Sequence, residues 1–167
     1  MKGIIRTISI LAVIFVNVGC DQVTKEVVRS SIDKHERIKV FANKFILTNV
    51  ENTGAALSLG SDLSPTLKIL FLQVLPILML LFLLRMIIVK RELSMMAALG
   101  LAFAIGGGIG NIYDRILYGS VTDFMHIDLG FFRTGIFNMA DVSVVIGMVM
   151  ILIDFGIGSK RASVAAE

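Results

Sequence analysis

Residues 66–89 read TLKILFLQVLPILMLLFLLRMIIV. This run is apolar around its whole circumference, and it is long enough to cross the hydrocarbon core of a bilayer, which takes ~20 residues of helix. Gln73 and Pro76 interrupt it, and we expect a kink there, because neighbouring helices can satisfy the carbonyl that Pro76 leaves free. Three further stretches have the same character, at about 4–20, 95–113 and 142–158. The sequence therefore predicts four transmembrane helices.

The composition of the whole chain favours a membrane protein. Of its 167 residues, 56% are apolar and 17% are charged, and the mean hydropathy is +0.85. A soluble domain needs a polar surface, whereas here the charges are bunched between apolar runs. The net charge of +3 comes without a basic stripe interleaved with aromatic residues, so nucleic acid is not an expected partner. One cysteine and two histidines exclude an intramolecular disulfide framework and argue against a zinc site.

Lysines and arginines in the flanking segments predict the orientation in the membrane. Their density is higher in the segments that would be cytoplasmic if the N-terminus lay inside, so we expect both termini in the cytoplasm. The two outer segments, about 21–65 and 114–141, contain alternating stretches at 44–51 and 121–128, which favour strands. The expected fold is a membrane all-α protein, a single domain over 1–167. It is a four-transmembrane-helix bundle with a small extracytoplasmic β element and a surface segment.

Acidic residues near the predicted outer face indicate a functional site, because ionisable groups at a membrane edge are costly and usually functional. Four of them fall at the outer ends of the spans or in the outer segments: Asp21, Asp114, Asp123 and Asp141. Asp154 lies about 20 Å further along the last helix than Asp141, at ~1.5 Å per residue. We expect its carboxylate to reach the inner interface near Lys160 and Arg161.

Most of these acidic residues also have a purely structural explanation. Asn138 followed by Asp141 matches a helix N-cap with an acidic third position, and by itself this pattern favours a cap. Asp114 beside Arg115 matches an interfacial ion pair. Asp123 is harder to explain, because an acid flanked by apolar residues beside a bilayer needs a partner.

Small and polar residues elsewhere have equally plain interpretations. Asp21 could cap a polar exit from the first span, and the glycines of 106–110 suit close packing of membrane helices. Residues 52–56 match a turn with small side chains. Cys20 ends the first span among Val and Gly, which favours a small buried hydrophobe.

Nucleophilic and metal-dependent chemistry has weak support. Ser120 and Ser143 have no Lys or His nearby in sequence to serve as a base, although a distant one could fold close. His126 and Asp128 could ligate a metal, but no convincing third ligand accompanies them.

Five segments, taken in order, resemble the motifs of lipoprotein signal peptidase, also called signal peptidase II. They are DQVTK at 21–25, NTGAA at 52–56, GGIGNIYDR at 107–115, VTDF at 121–124 and FNMAD at 137–141. The resemblance implies an aspartic endopeptidase of the bacterial inner membrane. Such an enzyme removes signal peptides from prolipoproteins by cutting just before a cysteine that carries diacylglycerol. The resemblance also implies a target of the cyclic peptide antibiotic globomycin.

The resemblance further implies roles for individual residues. Asp123 and Asp141 match the catalytic pair. Other positions match residues associated with substrate binding or site structure: Asp21, Lys25, Asn52, Gly54, Asn111, Asp114, Arg115, Asn138 and Ala140. The expected partners are a diacylated prolipoprotein, membrane lipids and a globomycin-type inhibitor, and no metal or organic cofactor is required.

The chemistry of two carboxylates supports this interpretation independently. Two carboxylates a few Å apart in a poorly hydrated site cannot both ionise cheaply, so one stays protonated while the other remains a base. The ionised member can take a proton from a held water, the protonated member can donate to the scissile carbonyl, and protons later pass to the leaving amine. The sequence does not decide which aspartate carries the proton at rest.

Two alternatives stay open at this point. Lys2 and Arg6 precede an apolar core that ends in VNVGC at 16–20, so the chain could itself be a lipoprotein anchored at Cys20. Cleavage before Cys20 would, however, delete the first span. A small transporter or channel subunit is the second alternative, but transport predicts acidic groups spread through the membrane depth, whereas these crowd one face.

Overall fold

The computed structural model describes residues 2–41, 44–90 and 92–164, and for residues 2 and 158–164 the backbone only. Its helices and strands are α1 (Lys2–Ser31), β1 (Arg37–Val40), β2 (Phe45–Asn52), α2 (Pro65–Ile69), α3 (Leu75–Val89), α4 (Met95–Tyr118), β3 (Val121–Ile127) and α5 (Met139–Val164). A 3-10 turn, Ala56–Ser58, follows β2, and a π-helical turn, Leu70–Val74, joins α2 to α3.

Among the described residues, four helical segments are long and apolar enough to cross a membrane: Gly3–Ser31, Pro65–Val89, Met95–Tyr118 and Met139–Ile157. The predicted four-span bundle is confirmed, and three of its helices extend beyond the apolar stretches. Helix α1 continues past Cys20, α4 continues past Tyr113, and α5 begins before Val142. The helices continue through the charged residues at these positions because those residues have partners in the fold.

The second span is continuous through Pro76. Proline has no N–H, so Pro76 cannot bond the carbonyl one α-helical turn earlier. The preceding turn is π-helical, and its last hydrogen bond runs from the N–H of Leu75 to the carbonyl of Leu70. The helix is therefore modified at this point and not broken, as the sequence predicts.

Helix α4 lies at the centre of the bundle and packs against α1, α5 and the second span. Its glycines allow this: a Cβ at Gly106 would meet Asn17 of α1, one at Gly107 would meet Ala140 of α5, and one at Gly108 would meet Leu80 of α3. The packing role predicted for 106–110 agrees with these contacts.

One stripe of α1 is buried, and it includes polar residues. The buried positions repeat every three or four residues and are Ile10, Ile14, Asn17, Asp21, Lys25 and Val28. Cys20 lies beside this stripe and is exposed in the middle of α1, so the expectation of a buried cysteine at a helix end is wrong. A helix in lipid needs no polar outer face, and here the polar side chains turn inward toward partners.

The three strands form an antiparallel sheet in the order β1-β2-β3. The stretches predicted as strands at 44–51 and 121–128 correspond to β2 and β3. Val28 at the end of α1 packs on Phe124 of β3, which fixes the sheet against the bundle. After β3, Phe137 bonds back to Met125, so the chain returns along β3 to the start of α5.

Asp154 lies far from the sheet, near the start of α4. Its carboxylate accepts a hydrogen bond from Ser94 Oγ at 2.6 Å. The predicted neighbours Lys160 and Arg161 have side chains outside the described residues. Arg6 of α1 donates to the carbonyl of Lys90 at 3.3 Å, so the N-terminal end of α1 and the α3–α4 connection lie at the same end of the bundle.

Candidate active site

Asn138 joins the two aspartates that the motifs single out. Asp123 lies on β3 and Asp141 lies in the first turn of α5. Asn138 Nδ2 donates to Asp123 Oδ1 at 2.6 Å, and its backbone N–H donates to Asp141 Oδ2 at 3.1 Å. Asp141 N–H donates in return to Asn138 Oδ1 at 3.1 Å, which completes a capping box. The predicted cap is present, and the same residue also reaches Asp123.

A turn after β2 provides the second donor to Asp123. Asn52 Nδ2 donates to Asp123 Oδ2 at 3.0 Å, and Asn52 Oδ1 accepts from Gly54 N–H at 2.9 Å. The chain folds back over Gly54 so tightly that a Cβ there would lie 2.6 Å from the backbone of Ser58. The predicted turn at 52–56 thus requires glycine and aims Asn52 at Asp123.

Asn111 of α4 binds Asp141. Its Nδ2 donates to Asp141 Oδ1 at 2.9 Å, while its Oδ1 accepts from Lys25 Nζ at 3.0 Å and from Asn138 Nδ2 at 3.1 Å. Because an ammonium can only donate, Lys25 requires the oxygen of the Asn111 amide on its side and the NH₂ on the side of Asp141.

A buried charge cluster lies behind Asn111. Lys25 Nζ pairs with Asp21 at 2.8 Å and with Asp114 at 3.1 Å, and none of these three side chains is exposed. Arg29 adds a second cation, 2.9 Å from Asp114. The negative charges of the two acidic side chains equal the positive charges of the two basic ones. The cluster can therefore be buried, whereas a single unpaired charge could not be.

Asp21 connects this cluster to the start of α5. Its Oδ1 accepts from the backbone N–H of Ala140 at 2.9 Å. A Cβ on Gly110 would collide with the Asp21 carboxylate, and one on Gly107 would collide with the carbonyl of Ala140. The expectation that Asp21 caps an exit from the first span is wrong: it lies inside α1 and caps α5 instead.

The predicted ion pair between Asp114 and Arg115 is also wrong. Successive residues of a helix point about 100° apart and do not face each other. Asp114 therefore turns to Lys25 and Arg29, whereas Arg115 Nη2 donates to the carbonyl of Gly54 at 2.8 Å. Arg115 Nε is buried and has no hydrogen-bond partner in the part of the chain that the structure describes.

A cavity of about 500 Å³ contains both aspartates. Asn52, Asn111 and Arg115 line its polar part together with Asp123 and Asp141. Its apolar part is formed by Phe71, Leu72 and Pro76 of the second span and by Val144 and Val145 of α5. The arrangement can therefore hold a polar group at the carboxylates and an apolar group between the helices.

Burial raises the pKa of Asp123 to about 6, from an ordinary value of 3.8. Hydrogen bonds from Asn52 and Asn138 oppose this rise, and the negative charge of Asp141 adds to it. Asp123 is therefore a carboxyl group that can hold or release a proton near neutral pH, as general acid–base chemistry requires.

Some residues of the network are not among the site residues that the resemblance implies: Arg29 and Glu51 lie outside the five motifs, and Gln22 and Thr122 lie inside them. Arg29 Nε donates to Thr122 Oγ1 at 2.8 Å, and Thr122 Oγ1 donates to Glu51 Oε1 at 2.9 Å. Gln22 Nε2 lies between the two buried acids, 3.0 Å from Asp21 Oδ2 and 3.1 Å from Asp114 Oδ1. Arg29 follows Lys25 by four residues, so helical spacing could have identified it if α1 had been extended past Cys20.

The alternative nucleophiles have other partners. Ser143 Oγ donates to Asn17 Oδ1 at 2.6 Å, and Ser120 Oγ donates to Glu51; neither hydroxyl bonds a Lys or His side chain of the part of the chain that the structure describes. His126 Nδ1 lies 3.4 Å from the carbonyl of Gly135. Within the described ranges, no group of three or more His, Cys, Asp or Glu residues is arranged to hold a metal ion.

Comparison with known proteins agrees with this geometry. A family model described as signal peptidase (SPase) II, Peptidase_A8, matches residues 13–157, which include all the motif positions. The lipoprotein signal peptidase of Desulforapulum autotrophicum is 35% identical over 136 residues, which cover 80% of this chain and 82% of that protein. That of Borrelia hermsii is 35% identical over 154 residues, 89% of each chain.

A solved structure has the same architecture. A bacterial membrane enzyme determined by the in meso method superimposes with a TM-score of 0.81 at 26% identity, covering 92% of this chain and 90% of that chain. A second such structure gives a TM-score of 0.77 at 27% identity, covering 88% of this chain and 92% of that one. The chain therefore belongs to the signal peptidase II family, the lipoprotein signal peptidases, and is an aspartic peptidase of the membrane.

Proposed function

We propose that this protein, acting as one domain over 1–167, removes the signal peptide from diacylglyceryl-modified prolipoproteins by cutting just before the lipidated cysteine. Asp123 and Asp141 are the proposed catalytic pair. The observation that carries the proposal is that these two carboxylates, one from a strand and one from a helix N-terminus, both bond to Asn138 and line one cavity.

The pair divides the work of peptide hydrolysis. One proton is shared between the two carboxyl groups, because burial opposes a second negative charge. The ionised carboxylate takes a proton from a water molecule, whose oxygen attacks the scissile carbonyl carbon, while the protonated carboxyl donates to the carbonyl oxygen. The resulting diol collapses when its C–N bond breaks: the carboxyl that took the proton from water gives it to the leaving amine, and one hydroxyl of the diol returns its proton to the other carboxylate.

The surrounding residues position the pair and the substrate. Asn52, Asn111 and Asn138 donate to the two carboxylates, and Gly54 shapes the turn that aims Asn52. Arg115 lines the same cavity, and its guanidinium, which donates to the carbonyl of Gly54, places a positive charge beside the pair that suits a polar group of the substrate.

The buried cluster fixes the first turn of α5, which carries Asp141. Lys25 holds Asp21 and Asp114, and Asp21 binds the N–H of Ala140. The carbonyl of Ala140 lies against Gly107, where a Cβ would collide with it. These residues act through α5 and Asn111, without reaching the substrate.

The protein is a multi-pass bacterial membrane enzyme. We place both termini in the cytoplasm and the cavity at the outer face, because lysines and arginines are densest in the segments at the other end of the bundle. The apolar cavity walls suit the lipid-embedded part of the substrate, and membrane lipids are the remaining partners. A globomycin-type cyclic peptide would compete for the same cavity.

The test is cleavage of a diacylated prolipoprotein by the detergent-purified protein, with the unmodified prolipoprotein as the matched substrate. The parent should release the signal peptide from the diacylated form and cut the unmodified form poorly. Asp123→Asn and Asp141→Asn should each abolish cleavage. Full cleavage by either variant would contradict the assigned pair, and equal cleavage of both substrates would contradict recognition of the lipid.

The intact mass of the purified protein tests whether the chain is itself a processed lipoprotein. Residues 10, 14 and 17, which precede Cys20, are buried against the bundle, so the proposed enzyme needs them. We expect residues 1–19 to be retained and Cys20 to carry no lipid.

A further inference from the structure

The second span contains a polar side chain, Gln73, to which the proposed mechanism assigns no role. It lies in the π-helical turn Leu70–Val74, half-buried, and its Nε2 donates to the backbone carbonyl of Arg115 on α4 at 3.2 Å. Polar side chains within membrane spans are costly, and π-helical turns inside α-helices occur frequently at functional sites. The position of Gln73 therefore calls for an explanation beyond packing.

The π-helical turn forms one wall of the catalytic cavity. Phe71 and Leu72 line the cavity on this side, and Val144 and Val145 of α5 line it on the other. Within the described residues, the second span packs against α4 and makes at most marginal contact with α5. The width of the apolar part of the cavity therefore depends on how the second span is attached to α4.

Contacts at several depths provide that attachment, among them the apolar packing of α3 on α4. Leu80 lies against Gly108, further from the aspartates, whereas Gln73 binds α4 at Arg115, which itself lines the cavity. Arg115 in turn donates to the carbonyl of Gly54, in the turn that aims Asn52 at Asp123. Gln73 is thus the polar contact that holds the wall at the level of the carboxylates.

We propose that Gln73 is a positioning residue for the substrate. Its hydrogen bond to the carbonyl of Arg115 holds Phe71 and Leu72 at a fixed distance from α5. The apolar part of the substrate next to the scissile bond binds in the space between them. This inference rests on the proposed function. It adds a residue outside all five motifs, one that affects substrate affinity and takes no part in proton transfer.

Removal of the Gln73 amide should leave the fold intact. The carbonyl of Arg115 also accepts the N–H of Gly119 at 3.2 Å, so it keeps a hydrogen bond when Gln73 is replaced. Gln73→Met conserves the length of the side chain and is apolar, which suits a lipid-facing helix. Gln73→Leu is a second apolar variant, and Val74→Leu is the matched control, because Val74 lies in the same turn and does not line the cavity.

The experiment measures kcat, KM and the thermal midpoint for the parent and the three variants on a diacylated prolipoprotein. It also measures the Kd of that substrate with each variant in an Asp123→Asn background. We expect Gln73→Met and Gln73→Leu to raise KM and Kd about five-fold, the factor that one uncharged hydrogen bond contributes. Their kcat and thermal midpoint should match the parent, and Val74→Leu should match it throughout.

Unchanged KM and Kd in the Gln73 variants would overturn the inference, as would a fall in kcat alone or an equal rise in Val74→Leu. A rise in KM that comes with a lowered thermal midpoint would show a general packing role and would overturn it too. Failure of the proposed function has a different signature, because then the parent itself would not cleave the diacylated substrate.

Discussion

Asn138 serves both the stability of α5 and the chemistry of the cavity, and two substitutions separate these roles. Asn138→Ala removes the N-cap of α5 and the donor to Asp123. Asn138→Ser keeps a capping oxygen, but its shorter side chain cannot reach Asp123, which accepts from Asn138 Nδ2 at 2.6 Å. The two variants therefore share the loss of the donor and differ in the cap.

General energies of helix caps and hydrogen bonds, applied to these contacts, give the magnitudes. A lost N-cap costs ~1 kcal/mol, so Asn138→Ala should be less stable than Asn138→Ser by about that amount. A hydrogen bond to a charged group is worth ~1.5–3 kcal/mol, and ~1.4 kcal/mol corresponds to ten-fold in rate, so both variants should lose roughly 10- to 150-fold in kcat/KM.

The assay compares kcat/KM on a diacylated prolipoprotein with thermal or denaturant unfolding of the same detergent preparations. Asn49→Ser is the matched control, since Asn49 is a buried asparagine that bonds the carbonyl of Ile32 and lies outside the cavity of the aspartates. It should lose stability and keep activity. Parent-like kcat/KM in Asn138→Ser, or losses of activity that simply follow stability across the three variants, would refute the reasoning.

Four further predictions concern the buried cluster and the pair. Lys25→Met leaves the acids Asp21 and Asp114 without their ammonium and should cost ~3–5 kcal/mol in the free energy of unfolding, an effect that Asp21→Asn in the same chain should partly reverse. Gly110→Ala places a methyl group against the Asp21 carboxylate and should lower both the thermal midpoint and the activity, whereas Gly19→Ala meets no atom within 4 Å and should lower neither. Asp141→Asn removes a negative charge that raises the pKa of Asp123, so that pKa should fall below about 6, and isotope-edited infrared spectra at pH 6 should show less protonated Asp123 than in the parent. Because the pKa of Asp123 is raised in the fold, its ionisation opposes folding as the pH rises through about 6, and Asp123→Asn should remove that decline in stability.

Much of the fold follows from features that a single stretch of sequence contains. The apolar run at 66–89 predicts a membrane helix directly, and the alternation at 44–51 and 121–128 predicts strands. Both patterns are formed by residues that are neighbours in the sequence. The cap formed by Asn138 and Asp141 is equally local and is present as expected. The motifs also identify the two aspartates that the fold brings into one cavity.

The differences arise where a partner lies beyond the predicted end of a span or on another element. The sequence places Asp21 and Asp114 at the ends of spans because a charge in the membrane is costly, but Lys25 neutralises Asp21 within α1 and Asp114 across the α1–α4 contact. The predicted ion pair of Asp114 and Arg115 rests on their adjacency in the sequence. On a helix, however, adjacent side chains point in different directions. Cys20 is exposed because the buried stripe of α1 passes through its neighbour Asp21.

The central claim is that Asp123 and Asp141 act as one unit, and a double-mutant cycle tests it most directly. Single-turnover cleavage of the diacylated prolipoprotein would be measured for the parent, for Asp123→Asn, for Asp141→Asn and for the double variant. Residues that act as a unit give strongly non-additive losses, so each single variant should fall to the rate of the double variant. Losses that add on a logarithmic scale, or a single variant that keeps most of the parent rate, would contradict the account.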